Sequence, residues 1–545
     1  MIPLGGLCEI GKNMTAIRFD NEILVIDAGL MFPEEELLGI DVVIPDISYL
    51  IENKHMVKGI VLTHGHEDHI GSLPYVLKDL NVPIYGTRLT LGLVEAKLKD
   101  AGIQGAKLNV MRQGEIFKVG KFGVELLHVC HSIPDASAIA VHTPYGVIFH
   151  TGDFKFDQTP VDGQVTDFQR IAELGYQGVL LMMSDSTNAE RPGYSLSEKE
   201  VGKSFYDIFS SAKGRVIVAT FASNVHRIQQ VIDAAHTYGR KVAVAGRSLV
   251  NTVTVASEMH YLHLPKNTLI DLEDINRYPA EKIVVITTGS QGEPMSGLSR
   301  MAMNDHRKVQ IMPGDTVILS ANPIPGNEKL ISKVIDMLFK QGADVIQGSD
   351  MRVHVSGHAY REDLKMMLNL VKPRYFMPVH GEYSKLLKHA RLAEEIGMSS
   401  EDIFVSENGN ILEVSETQAA IAGKVQSGRV LIDGLGIGDV GNIVLRDRKQ
   451  LSQDGIVIVV VTIDKKTKTI AAGPDIVSRG FVYVREADDL MNGAKERVNA
   501  NLEKCMENNI IEWNGLKNGI RDTLGKYLFE KTRRKPMILP IIMEV

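Results

Sequence analysis

The stretch VLTHGHEDHIG, residues 61–71, places His64, His66, Glu67, Asp68 and His69 within six positions, directly after a short apolar run. In an extended loop, side chains two apart share a side, so His64 and His66 can grip one ion while Asp68 and His69 turn toward a second position. Neutral imidazoles and carboxylates are what Zn2+ or Mn2+ accepts, and a hydrolytic site keeps one coordination position open for water. A two-metal centre needs more ligands. Three further residues stand where apolar runs end: His131 after GVELLHVCHS, Asp153 in GVIFHTGD and His380 in MPVHGE. Each alone reads as an ordinary loop residue. Together with 64–69 they complete two coordination spheres, and Asp153, with two oxygens, is able to bridge them. Glu67 reads as a spacer, and His128, His142 and His150, inside apolar runs, read as core histidines.

The elements that must hold these residues follow from the rest of the chain. Its 545 residues, 44% hydrophobic and 23% charged, suit a soluble protein of two to four domains. There is no run of about 18 apolar residues to span a membrane, and the N-terminus does not have the pattern of a signal peptide. Three scattered cysteines, Cys8, Cys130 and Cys505, argue for a reducing cytosol and against a disulfide framework or a cysteine-rich zinc site. A net charge of −7 speaks against a uniformly basic nucleic-acid coat, although a local groove can be positive on an acidic protein. The basic cluster KTRRKP (531–536) reads equally well as a solvated patch.

The first 185 residues read as β-rich runs: EILVID, GIVLT, GVELLHV, GVIFH and GVLLMMSD. From Ser197 the texture changes. SLSEKEVGKSFYDIFSSAKG reads as a helix opened by a Ser197–Glu200 capping box. RVIVAT, KVAVAG and IVVITTG then alternate with helical patterns, as in a parallel-sheet α/β unit. Near 350–385 the histidine-bearing texture returns, so the α/β unit is an insertion. The expected organisation is a discontinuous domain over 1–196 and 357–437, an inserted domain over 197–356, a linker over 438–455 and a small C-terminal α/β domain over 456–545. GIGDVG (436–441) matches G-x-G-x-x-G, but NIVLRDRKQLSQDG is a poor helix opening, so a linker turn is expected there.

THGHEDHIGS, Asp27 in VIDAG, His131 in CHSIPD and Asp153 in HTGDFK resemble the ordered motifs of the metallo-β-lactamase fold. Asp185 in MSDSTN, His358 in VHVSGHA and His380 in PVHGE resemble the added motifs of the β-CASP nucleases. IPLGG, EIGKNM, FASNVHRIQQ, TTGSQGEPMSGLSRMA and RRKPMILPIIMEV are similar to bacterial ribonuclease J, over nearly the whole chain; Cys8, where that pattern has Gly, departs from it. The resemblance implies an αββα metallo-β-lactamase fold with an inserted parallel-sheet β-CASP domain and a small C-terminal α/β domain. It implies two Zn2+, with Mn2+ as the alternative. His64, His66 and His131 would hold one, Asp68, His69 and His380 the other, and Asp153 would bridge. Asp27 would orient a ligand, and His358, supported by Asp185, would protonate the leaving 3′ oxygen. Ser223, Asn224 and Val225, with His354, Val355, Ser356, Gly357 and His358, would bind a 5′-monophosphate. Asp433 would join a structural Ca2+ near the 38–40 loop, although the residue by itself reads rather as a plain turn carboxylate.

The implied activity is degradation of single-stranded RNA 5′→3′ from a 5′-monophosphate end, with additional internal cutting, in RNA maturation and mRNA decay. A homodimer or homotetramer is implied too, with a paralogue or other RNA-decay proteins as partners. Two competing readings are a small-ester metal hydrolase of the same fold and a non-catalytic RNA-binding scaffold. The inserted unit weighs against the first, since a small substrate needs no such clamp, and the filled ligand positions weigh against the second.

Overall fold

The computed structural model describes the chain except residues 35, 294, 324–326, 349, 465, 466, 468, 483–486, 509 and 511. One six-stranded sheet runs, in spatial order, Ile2–Gly5, Met14–Phe19, Glu22–Ile26, Val57–Val61, Ile84–Gly86 and Leu108–Val110. A second runs Tyr375–Val379, Val179–Asp185, Gly146–His150, Ser137–Thr143, Phe122–His128 and Ile116–Val119. The two face each other across an apolar core, where Leu24, Ile26 and Val61 of the first join Leu126, Ile139 and Val141 of the second. Helices Leu73–Asp79 and Arg88–Asp100 cover the first sheet through Val76, Leu77, Val94 and Leu98. Helices Phe168–Gln177 and Arg361–Val371 cover the second through Ile171, Leu174, Leu364 and Leu368. The layers are therefore α, β, β, α. Strand Val179–Asp185 is buried at every position, as a strand covered on both faces must be.

Between the second sheet's neighbours Val179–Asp185 and Tyr375–Val379 the chain builds a third sheet. Its order is Lys241–Ala245, Ile283–Thr287, Val216–Ala219, Thr316–Leu319 and Asp344–Ile346, and every pairing is parallel. The return is in register with the departure: Leu181 lies opposite Tyr375 and Asp185 opposite Val379, again in parallel. This pairing brings Asp185 beside His380 although 195 positions separate them.

The helix expected to open at Ser197 begins at Lys199 without a side-chain cap. Ser197 Oγ accepts from Lys199 N at 3.3 Å, and Glu200 pairs with Lys203 rather than closing a capping box. Tertiary partners outcompete the local cap here. Glu198 donates its N–H to Asp157 Oδ2 at 2.8 Å and gives its carboxylate to the fully buried Arg227 at 2.7 Å. Of the three expected core histidines only His150 is buried. His142 is half-buried against Glu125 and His128 against the Gln164 carbonyl.

The chain clusters into two compact units, Met1–Met31 with Ile44–Val430, and Phe32–Val43 with Leu431–Val545. In the second unit, strands Thr469–Arg479, Ile456–Asp464 and Met537–Glu544 form a sheet whose buried face packs against helices Asp488–Glu507 and Trp513–Thr532. Residues 442–454, expected as part of a linker, are helical. The segment has no proline and is rich in Leu, Arg, Lys and Gln, so intrinsic propensity carries a helix with no buried residue. Gly436 and Ile437 fold back antiparallel on Asp433 and Ile432, so the glycines make a hairpin rather than a nucleotide-binding turn. Asp433 is ion-paired with Arg448, whose Nη1 also donates to the Leu38 carbonyl at 2.8 Å. A guanidinium thus neutralises the Asp433 carboxylate.

Candidate metal centre

Five of the key side chains lie at or just past the carboxyl ends of neighbouring strands. Asp27 follows Glu22–Ile26, Thr63 follows Val57–Val61, Asp153 follows Gly146–His150, Asp185 ends its strand and His380 follows Tyr375–Val379. Asp27 and His380 adopt left-handed backbone conformations, with φ of 62° and 54°. Such strain costs of order 1–3 kcal/mol per residue and persists only where surrounding structure imposes it. Cys8, in place of the expected glycine, also has a positive φ of 60°.

Hydrogen bonds at one ring nitrogen fix which imidazole nitrogens face the centre. Thr63 donates its backbone N–H to Asp27 Oδ1 at 2.8 Å and its hydroxyl to Asp27 Oδ2 at 2.9 Å. The Thr63 oxygen can then only accept from His64 Nδ1, 3.0 Å away. His69 Nδ1 donates to Asp27 Oδ2 at 2.7 Å, His131 Nδ1 to the Gly357 carbonyl at 2.7 Å, and His380 Nδ1 to Asp153 Oδ1 at 2.8 Å. With each proton on Nδ1, the Nε2 atoms of His64 and His131 are unprotonated, while those of His69 and His380 face the carboxylates of Asp153 and Asp68. His66 turns Nδ1 inward, 3.1 Å from both His64 Nε2 and His131 Nε2. His380 Nε2 is buried with no hydrogen-bond partner among the described residues.

These nitrogens and carboxylates converge on two points. His64, His66, His131 and Asp153 form one group of donor atoms, and Asp68, His69, Asp153 and His380 another. Asp153 Oδ2 belongs to both, 3.2 Å from His69 Nε2, 3.7 Å from His64 Nε2 and 3.8 Å from His131 Nε2. Asp68 Oδ2 lies 3.5 Å from His69 Nε2 and 3.4 Å from His380 Nε2. Tetrahedral ligands at about 2.0–2.1 Å from Zn2+ stand roughly 3.3 Å apart, so these spacings fit a divalent cation. Bare nitrogens facing each other with nothing positive between them would repel.

Electrostatics point the same way. Burial holds the His64 and His131 pKa values well below the usual range and that of His66 down to about 4, so all three are neutral donors. Around Asp68 and Asp153 burial is outweighed by carboxylate charge, which holds His69 well above its usual value and His380 up to about 10. That half of the centre calls for positive charge. Glu67, the spacer, turns to Lys97 at 2.7 Å.

A third group, Asp153, Asp185, His358 and His380, differs in kind. His358 Nδ1 is bonded to Asp185 Oδ2 at 2.8 Å and His380 Nδ1 to Asp153 Oδ1, so protons already fill the donor positions. Burial works against charge on His358, but Asp185 and Asp153 outweigh it and raise its pKa. Its ring lies 5.1 Å from that of His131 and 5.7 Å from that of His380.

The expected phosphate-binding residues fall into two segments. Asn224, not Ser223, caps helix Val225–Thr237, its Oδ1 accepting from Arg227 N at 3.0 Å. The Val225 N–H is used on the Ser223 carbonyl. Arg227 also reaches the Val353 carbonyl at 3.1 Å, tying the helix start to the segment carrying His354, Val355, Ser356 and Gly357. Ser356 Oγ accepts from Asn188 Nδ2 at 2.7 Å and from His358 N at 3.2 Å. His354 Nδ1 is buried without a partner, and burial with the nearby Arg227 charge lowers its pKa to about 3. Sequence reasoning did not single out Thr63, Asn188 or the Gly357 carbonyl, which orient the named residues.

A four-layer sandwich with this centre defines a metallo-β-lactamase-type hydrolase, and residues 9–186 match the model of the metallo-beta-lactamase superfamily. Residues 213–338 match the ribonuclease J beta-CASP domain, 351–406 the Zn-dependent metallo-hydrolase RNA specificity domain and 443–545 the ribonuclease J C-terminal domain. Ribonuclease J2 of Bacillus subtilis (strain 168) is 49% identical over 546 aligned residues, covering 100% of this chain and 98% of the relative. Ribonuclease J 2 of Staphylococcus aureus (strain MRSA252) is 45% identical with the same coverage. The chain belongs to the ribonuclease J family. A crystal structure of a protein of unknown function from Enterococcus faecalis V583 shares the fold, with a TM-score of 0.53 and 16% identity over 75% of this chain and 97% of that one. Among the described residues, no helix is long and apolar enough to cross a membrane.

Proposed function

We propose that the protein is a two-metal ribonuclease that degrades single-stranded RNA 5′→3′ from a 5′-monophosphate end and also cuts internally, in cytoplasmic RNA maturation and mRNA decay. The observation that carries this reading is Asp153 shared between two groups of ligand-type side chains, His64, His66 and His131 on one side and Asp68, His69 and His380 on the other. His64, His66 and His131 would hold one Zn2+ or Mn2+, Asp68, His69 and His380 the other, with Asp153 between them. When bound, the cations supply Lewis acidity and activate water for in-line attack at phosphorus.

The rest of the chemistry belongs to the chain itself. Asp27 keeps the His69 proton on Nδ1, a support that typically matters 10- to 100-fold in metal affinity, as an order of magnitude. Asp185 binds His358 at Nδ1, leaving Nε2–H to protonate the departing 3′ oxygen. Ser356, whose oxygen already accepts two hydrogen bonds, offers its hydroxyl proton to the 5′-phosphate, with Ser223, Asn224, Val225, His354, Val355 and Gly357 around it. The free thiols of Cys8, Cys130 and Cys505 suit a reducing compartment. Exposed Leu539, Ile541 and Met543 on strand Met537–Glu544 suit self-association.

The test is to compare 5′-monophosphate and 5′-triphosphate forms of one labelled RNA. Mononucleotides should accumulate from the monophosphate form, and His64→Ala or Asp68→Ala should abolish this. Ser356→Ala should weaken the 5′-end preference more than internal cutting. No cleavage of either RNA with metal supplied, or full activity in the ligand variants, would sink the mechanism.

A further inference from the structure

We infer that Asn13 is a positioning residue for the Asp68–His69–His380 ligand group, a role that rests on the two-metal reading above. Asn13 sits just before strand Met14–Phe19 and is 9% exposed. Its backbone N–H donates to the Asp68 carbonyl at 3.0 Å, and its side-chain Nδ2 donates to the same oxygen at 3.2 Å. That carbonyl belongs to the peptide joining Asp68 to His69, so fixing its plane sets the direction in which both side chains leave the backbone. Nδ2 also lies 3.2 Å from His69 Nε2, the nitrogen aimed at the centre.

The neighbouring carbonyls are held from the same side. Ala28 N donates to the His69 carbonyl at 2.7 Å and Leu30 N to that of Glu67 at 3.0 Å, while Gly29 N donates to Asn13 O at 2.9 Å. Asn13 thus supplies the middle anchor of a three-residue ladder. The seat is shaped for it: a Cβ on Gly6 would lie 2.3 Å from Asn13 Oδ1, and one on Gly29 would lie 1.6 Å from the Asp68 oxygen. The other ligand group is oriented by different partners, Thr63 for His64 and the Gly357 carbonyl for His131. Asn13 should therefore govern one cation and not the other.

The test uses metal-free full-length protein titrated with Zn2+ against a chromophoric chelator. The wild type should bind two equivalents. In Asn13→Ala one dissociation constant should rise about 10- to 100-fold, with the other unchanged. A double-mutant cycle assigns the effect: Asn13→Ala should still weaken the equivalent that remains in His66→Ala but add nothing in Asp68→Ala. Circular dichroism with chelator present checks the fold, and Asn13→Ser, which retains a donor too short to reach, replaces the alanine variant if that unfolds. Two unchanged constants, or two that rise equally, would overturn the assignment while leaving the two-metal reading intact. A single equivalent in the wild type would overturn both.

Discussion

Replacing Gly357 by alanine probes the centre at a tight point. A Cβ there would lie 2.8 Å from Cε1 and 2.9 Å from Nδ1 of His131. The imidazole has no free retreat, since Nδ1 is hydrogen-bonded to Gly357 O at 2.7 Å and Nε2 faces His66 Nδ1 at 3.1 Å. Opening 2.8 Å to ordinary contact at 3.4 Å moves the ring by about 0.6 Å. A misplacement of about 1 Å costs on the order of a hundredfold in rate, so roughly tenfold is expected here. Gly357 is not among the residues with positive φ, so alanine brings no backbone strain and the effect isolates the steric push. The assay is Zn2+ affinity by chelator competition together with turnover of a 5′-monophosphate RNA, with the melting temperature in chelator as the folding control. Wild-type affinity and turnover in the variant would refute the claim that the Gly357–His131 contact sets the ligand's position.

Asp27→Asn should weaken Zn2+ binding about 10- to 100-fold by removing the carboxylate that holds His69 Nδ1 and Thr63, measured by the same competition. His358→Gln should lower kcat by about 10²- to 10⁴-fold while metal stoichiometry stays that of the wild type, since His358 belongs to neither of the two proposed ligand groups. Glu125→Gln should cost about 2 kcal/mol in denaturant unfolding at neutral pH, because Glu125 is buried against Arg170 and His142. Burial alone would raise the Glu125 pKa, but those hydrogen bonds bring it down from 4.5 to about 2. Its contribution is therefore complete above about pH 4.5 and lost as pH falls toward 2, and the variant should lack that part of the acid sensitivity.

The cluster of ligand-type side chains was legible because its chemistry lies in side-chain type and spacing. HGHEDH, and the strand-end positions of His131, Asp153 and His380, need no contact map to be recognised. The parallel inserted sheet was legible from its β–α alternation. What escaped is carried by the backbone or by tertiary competition. Gly357 acts through a carbonyl that every residue has, and Thr63 matters because two of its donors meet one carboxylate. The capping box at Ser197 failed because Glu198 has stronger partners far away in sequence. Asn224, named for phosphate binding, is also the cap of helix Val225–Thr237, because its amide oxygen accepts from Arg227 N. The helix Asn442–Asp454 has no buried stripe to announce it, and the pairing of Asp433 with Arg448, fifteen residues further on, leaves no mark in the local sequence.

On the two-metal reading, the parallel pairing of Val179–Asp185 with Tyr375–Val379 also sets when the centre can be completed during synthesis. His64 and His380 are 316 residues apart in the chain, which at roughly 5–20 residues per second takes the ribosome about 15–60 s. For most of that interval the nascent chain would have six of the seven proposed ligands but not the last one, and no strand beside Asp185 to carry it. A ribonuclease translated from an RNA is thus kept incomplete while most of its message is being read, by the order of its strands alone.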